Sequence, residues 1–88
     1  MDVRVHPHAV ERLAERGASQ EEVRLTVETG ETFPAKFGRH GFRRNFPCEG
    51  TWRGRAYTTK QLEAYAVEEA GSWLVITVVV KYFGGTEA

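Results

Sequence analysis

The apolar positions from Trp73 to Tyr82 follow one another almost without a break: Trp-Leu-Val-Ile-Thr-Val-Val-Val-Lys-Tyr. Six consecutive residues, Val75 to Val80, are β-branched, and aromatics stand at both ends. Such a composition suits a pleated strand and restricts helix rotamers. A nearly continuous apolar run implies cover on both faces. The pattern therefore predicts that this stretch is the central strand of the sheet. Thr77 and Lys81 are four apart and share one strand face, while Ile76, Val78 and Val80 share the other. The apolar face is expected to pack on helices. The half-polar face is expected to form the floor of a site.

Earlier in the chain the period is helical. Val3 to Val5 reads as a short strand or extended lead-in. His6-Pro7 then opens a helix that runs from about Pro7 to Arg16 and stops at Gly17. Ala9, Val10, Leu13 and Ala14 form its apolar stripe. His8, Arg12 and Arg16 fall in one column at i, i+4 and i+8, with Glu11 and Glu15 in a neighbouring one. Ser19 with Glu22 three residues on is a capping-box pattern for a second helix. Val23 and Val27 face its core side, and Thr29-Gly30 ends it.

From Glu31 the period changes to that of strands. Thr32 to Phe37 reads as an edge strand, because Pro34 has no N–H for a central ladder. Gly38 to Gly41 reads as a turn and Phe42 to Phe46 as the returning strand. Pro47-Cys48-Glu49-Gly50 is expected to break it, and Trp52 to Arg55 to form a tight turn or loop. Tyr57 to Val67 is a long strand, turned by Glu68 to Ser72 into the Trp73 run. The tail after Tyr82 is expected to fray. The expected fold is α+β: two N-terminal helices packed on one face of a four- to five-stranded, mainly antiparallel sheet.

Length and composition sharpen this picture. A chain of 88 residues makes one domain with a thin core. Its composition is that of an ordinary globular protein. Cys48 is the one cysteine, so no internal disulfide forms, which fits a reducing compartment. The start has no apolar signal region, and no apolar stretch is long enough to span a membrane. A cytoplasmic protein is the expectation. No cysteine/histidine cluster has zinc spacing, and neither a metal nor another cofactor is expected.

The net charge is zero, but its distribution is uneven. Residues 36–60 carry Lys36, Arg39, Arg43, Arg44, Arg53, Arg55 and Lys60 against Glu49 alone. Acidic residues outnumber basic ones on both sides of this stretch. Phe37, Phe42, Phe46, Trp52 and Tyr57 are interleaved with the cations, a mixture that suits phosphates and stacked bases. These seven basic residues are the candidate RNA-binding set. The competing explanation, of equal weight, is a series of solvated strand edges guarded by charge.

Three stretches together resemble a known family: His8-Ala-Val-Glu-Arg12-Leu-Ala-Glu-Arg16-Gly17-Ala-Ser19, Lys60-Gln-Leu-Glu-Ala-Tyr-Ala-Val, and Leu74-Val-Ile-Thr77-Val-Val-Val-Lys81-Tyr82. The chain resembles a bacterial family of small domains marked by His-Ala-x-x-Arg-Met/Leu-x-x-Arg-Gly-Ile-Ser and a later Val-Thr-Val strand. That family is similar to the RelE/ParE and BrnT toxins. The likeness covers roughly positions 6–30 and 55–82, and residues 31–54 show no match. It implies a RelE/BrnT-like fold and a metal-independent endoribonuclease of a toxin–antitoxin system. It also implies RNA as substrate, on or off the ribosome, and a cognate antitoxin.

Metal-free RNA cleavage needs a base for the 2′-OH, an acid for the leaving oxygen and cations for the phosphorane. Histidine and arginine supply these roles. His8, Arg12 and Arg16 match the family motif. Thr77, Lys81, Tyr82 and Lys60 are candidates from the sheet. Each also has an ordinary explanation: His8 as a helix cap, Arg12 and Arg16 as surface partners of glutamates, Thr77 as a β-former, Lys81 as a strand-end charge and Tyr82 as a core aromatic. His6 and His40 read as loop residues, and Cys48 as a small apolar filler.

Two functions stay open. One is the RNA-directed toxin. The other is a non-catalytic interaction module of the same fold that binds a protein partner or a strand at its sheet edge. The zero net charge favours the second. The site expectation is a groove shared by His8, Arg12 and Arg16 with Thr77, Lys81 or Tyr82. It carries a tension: helices on the Ile76 face reach Thr77 and Lys81 only around a sheet edge. His8, at a helix start, is best placed to do so.

Overall fold

The computed structural model describes residues 2–52 and 55–84, with only the backbone of Trp52 and Arg55. After a short strand β1 (Val3–Val5), Pro7 opens helix α1 (Pro7–Arg16). Its N-cap is His6, whose ring Nδ1 accepts the backbone N–H of His8 at 3.1 Å. The capping histidine is therefore His6 rather than His8. Gly17 closes α1 in the left-handed conformation, φ 75°, which a residue without Cβ adopts without strain. Helix α2 (Gln20–Thr29) starts on the capping box that the spacing predicts. Ser19 Oγ accepts the Glu22 N–H at 3.1 Å, and the Glu22 carboxylate accepts the Ser19 N–H at 3.0 Å.

Four more strands follow: β2 (Glu31–Pro34), β3 (His40–Trp52), β4 (Arg55–Glu69) and β5 (Ser72–Phe83). They join β1 in one five-stranded sheet of order β1-β5-β4-β3-β2. All its pairings are antiparallel except β1 with β5, which is parallel. The class is thus α+β, with two N-terminal helices and a mainly antiparallel sheet.

Three expectations change. The central strand is β4, not the Trp73–Tyr82 run. β1 pairs only with Trp73 to Val75, so the rest of β5 has β4 on one side and no described strand on the other. Leu62, Glu63, Ala64 and Ala66 of β4 are all buried, as a central position requires. Second, Pro47-Cys48-Glu49-Gly50 does not end β3. It shifts the register against β4 between Pro47 and Gly50, and the strand continues. β2 pairs with β3 only as far as Arg43, so Pro47 sits where β3 has one described neighbour, the setting that tolerates a strand proline. The turn before β3 also both begins and ends earlier than expected: the edge strand stops at Pro34 rather than Phe37, and His40 already pairs with Pro34 and Ala66.

The third change concerns β5. Its register slips between Tyr65 and Ala66, which pair with Thr77 and Val75. Ile76 is the extra residue of this bulge. Upstream of it Val75 faces the helices, and downstream Val78 and Val80 do. Ile76 is half-buried and stands outside the core of Leu13, Val23, Val27, Phe42, Phe46, Leu62, Ala64, Ala66, Val75 and Val78. The expected trio of Ile76, Val78 and Val80 is therefore Val75, Val78 and Val80. Both helices pack on this one face, α1 against β5 and α2 against β3 and β4. The tight turn read at Trp52 to Arg55 centres on residues 53–54, and most of the fraying tail is 85–88; both lie outside the described residues.

Candidate functional site

The His8/Arg12/Arg16 column does not meet the half-polar sheet face. Arg16 turns to the sheet from the last turn of α1, where its guanidinium donates to the Val78 carbonyl. Tyr82 alternates with Val78 and Val80, so it too lies on the helix side. Its hydroxyl donates to the Arg16 carbonyl at 2.7 Å. Burial raises the Tyr82 pKa, against a smaller lowering by Lys60. Lys60 reaches the same corner, donating to the Gly17 carbonyl at 2.8 Å and to Glu22 at 2.9 Å. Arg16 and Gly17 of the motif, with Glu22 of the capping box, thus bind the helix junction to the sheet. His8 stands at the other end of α1, about 12 Å along the axis from Arg16 at 1.5 Å per residue. His8 is exposed, and its neighbour is the His6 ring, 6.5 Å away between centroids. Arg12 is exposed as well and makes no hydrogen bond or ion pair with a described residue.

Thr77 and Lys81 do share the opposite face, as their spacing predicts. No helix covers it. At its centre is Glu63 of β4, only 4% exposed. Arg43, its cross-strand partner on β3, donates Nε and Nη2 to Glu63 Oε2 at 2.9 and 2.7 Å. Lys81 lies 3.4 Å from Oε1, and the Tyr65 hydroxyl 3.5 Å from it. Burial pushes the Glu63 carboxyl up, but the Arg43 hydrogen bonds and the Lys81 charge outweigh this and hold it below its ordinary value. The same pairing raises Arg43. Arg43 also lies 3.7 Å from Glu31 and stacks its guanidinium 4.5 Å from the Phe33 ring centroid. Asn45 and Gln61 continue the polar face with a 2.9 Å amide hydrogen bond.

Next to this network is a groove of about 720 Å³. Phe33 and Tyr65 meet edge to face in its floor, with centroids 5.8 Å apart. Thr77 and Val79 of β5 form one side. The turn between β2 and β3 forms the other and carries Lys36, Phe37 and Arg39. Phe37 is 86% exposed and takes a positive φ of 62°. The Arg39 guanidinium stands 5.9 Å from its ring centroid. Among the described residues no acidic side chain lines the groove.

The basic stretch is consequently not one surface. Lys36 and Arg39 face the groove, and Arg43 is held by Glu63. Arg44 alternates with the core residues Phe42 and Phe46 and lies 4.7 Å from the Phe46 ring centroid. Its Nη1 is buried without a described hydrogen-bond partner, a position where the ring offers the cation some compensation. Lys60 belongs to the helix junction. Arg53 and the side chain of Arg55 lie outside the described residues.

Sequence reasoning missed Phe33, Glu63 and Tyr65. The period of two places Gln61, Glu63 and Tyr65 on one face of β4, and the strand pairing carries the half-polar face of β5 across to them. The signal for Phe33 is Gly41, its partner in the β2–β3 register.

Among the described residues no group of three or more His, Cys, Asp or Glu could hold a metal ion. No helix among the described residues is long and apolar enough to cross a membrane. Comparison with protein-family models, curated proteins and solved structures found no match to this chain.

Proposed function

We propose that this domain is a non-catalytic interaction module that engages its partner through the helix-free face of its sheet. One observation carries the reading: the candidate residues are divided between the two faces. A ribonuclease needs its base, acid and phosphate-binding cations around one phosphorus atom. His8 belongs to the helix layer, whereas Thr77 and Lys81 lie on the open face. Arg16, Tyr82 and Lys60 direct their polar groups to carbonyls and to Glu22. The open face, by contrast, offers a groove lined by the rings of Phe33, Phe37 and Tyr65 and by Lys36 and Arg39. A cytoplasmic location fits the lone Cys48.

The second reading is the RNA-directed toxin of RelE/BrnT type, with RNA as substrate and an antitoxin as partner. In its favour, Arg43, Lys81 and Tyr65 surround Glu63 on the open face, so cations and an ionised carboxylate stand together there. Inducible expression, with growth and bulk RNA integrity followed for the native chain and His8→Ala, separates the two. The module reading expects intact RNA in both strains. RNA fragmentation by the native chain would overturn it, and fragmentation abolished in His8→Ala would reinstate His8 as a catalytic residue.

A further inference from the structure

The turn that walls the groove is built at a local cost. Phe37 sits in the left-handed region, φ 62°, which is unfavourable for a side chain with a Cβ. Its ring does not repay this by burial, since it is 86% exposed. A bulky residue kept in an unfavourable conformation and in solvent points toward a ligand. The ring stands 5.9 Å from the Arg39 guanidinium, follows Lys36 in the same turn, and lines a groove together with Phe33 and Tyr65. Flat apolar faces flanked by positive charge, with no lining carboxylate, match a ligand that carries a planar ring and a phosphate.

We infer that this groove binds single-stranded RNA, stacking an unpaired base on Phe37 and placing the adjoining phosphate between Lys36 and Arg39. The inference rests on the module reading and names the partner of its open face. A second copy of the chain fits poorly, because its matching groove offers no described acidic side chain to pair with Lys36 and Arg39. A duplex fits poorly as well, because its bases are stacked on one another and closed to Phe37. Thr77 supports RNA over DNA. Its side chain is exposed at the groove and has no described hydrogen bond, and a hydroxyl can donate to or accept from a ribose 2′-OH.

The test is fluorescence anisotropy with a short labelled oligouridylate across a salt series, using the whole chain. The native protein is expected to bind, with affinity falling as salt rises. Phe37→Asn should weaken binding by about fivefold to a hundredfold, the range of one lost base stack. Its thermal midpoint should hold or rise, because asparagine tolerates the left-handed region. A merely structural Phe37 would move the midpoint down and leave binding alone. The double variant Lys36→Gln/Arg39→Gln should reduce the slope of log affinity against log salt by about 0.7, the loss of one neutralised single-strand phosphate. The inference is overturned by any of four results: no binding at low salt, unchanged affinity in Phe37→Asn, equal binding of the matching deoxyoligonucleotide or an RNA duplex, or equal binding of polyglutamate. Fragmentation of the RNA would instead overturn the module reading, so the two failures are distinguishable.

Discussion

The ring of Phe33 lies in the space that a side chain at Gly41 would fill. These two residues face each other in the β2–β3 register, and a Cβ at Gly41 would come within 3.0 Å of three Phe33 ring atoms. The close approach lets the ring cross β3 and meet Tyr65 on β4. Gly41→Ala should therefore push Phe33 off the groove floor and cost about 1–3 kcal/mol, the usual range for overpacking. In chemical denaturation the loss should shrink when Phe33→Ala is added. A Gly41→Ala variant as stable as the native chain would show that Phe33 is not anchored this way.

Gly17 has a similar relationship to Tyr82. A Cβ there would stand less than 3.0 Å from the Tyr82 hydroxyl oxygen, and φ is already positive. Gly17→Ala should cost the left-handed penalty of about 1–2 kcal/mol and displace the hydroxyl from the Arg16 carbonyl. Tyr82→Phe removes the hydrogen bond to the Arg16 carbonyl, for about 1 kcal/mol. The two losses should be less than additive in a double-mutant cycle, because both act through one contact. Strict additivity would mean that Tyr82 does not hold the end of α1.

Glu63 gives the fold an acid-sensitive element. Its carboxyl in the folded chain sits below its ordinary value, held there by Arg43 and Lys81 against the effect of burial. The unfolded chain, with a value of about 4.3, therefore binds the proton first as pH falls. The stability from this cluster is present above about pH 4.3 and is lost as pH drops through the folded value. Glu63→Gln should cost about 1–2 kcal/mol near neutral pH, toward the low end because Arg43 is about one-third exposed. It should also flatten the acid limb of a stability–pH curve. An unchanged acid limb would assign the acid response to other carboxyls.

The features legible in the sequence are those with a local cause. Pro7, Gly17 and the Ser19–Glu22 box mark helix ends because each acts within four residues. Thr77 and Lys81 share a face because the strand period is two and the bulge lies upstream of both. Ile76 carries no mark that distinguishes it from Val75, so the bulge that removes it from the core was not legible. The parallel pairing of Val3 to Val5 with Trp73 to Val75 is set by contacts about seventy residues apart, and nothing local announces it. Glu63 stands in sequence between Leu62 and Ala64, and nothing local announces a partner for it. Only the register that puts Arg43 opposite it and Lys81 diagonally beside it explains how a carboxylate is buried there. The groove needed the same long-range information, since β2, β4, β5 and the turn before β3 each contribute to it.

The bulge makes a prediction that separates the periodicity from the fold. An uninterrupted strand would place Ile76 under the helices, so that Ile76→Ala would be a core truncation worth about 2–5 kcal/mol. With Ile76 as the extra residue, the buried position passes to Val75, which is fully inaccessible. Val75→Ala should then cost about 2 kcal/mol, combining the lost apolar burial with a small cavity opposite Ala66. Ile76→Ala, although it removes more atoms, should cost less than Val75→Ala, because its side chain is half-buried and outside the core. Urea denaturation of the two variants tests the order directly. Equal slopes against urea would show that neither change alters the surface exposed on unfolding. The reverse order would move the register slip away from Tyr65 and Ala66, and would turn Val75 rather than Ile76 out of the core.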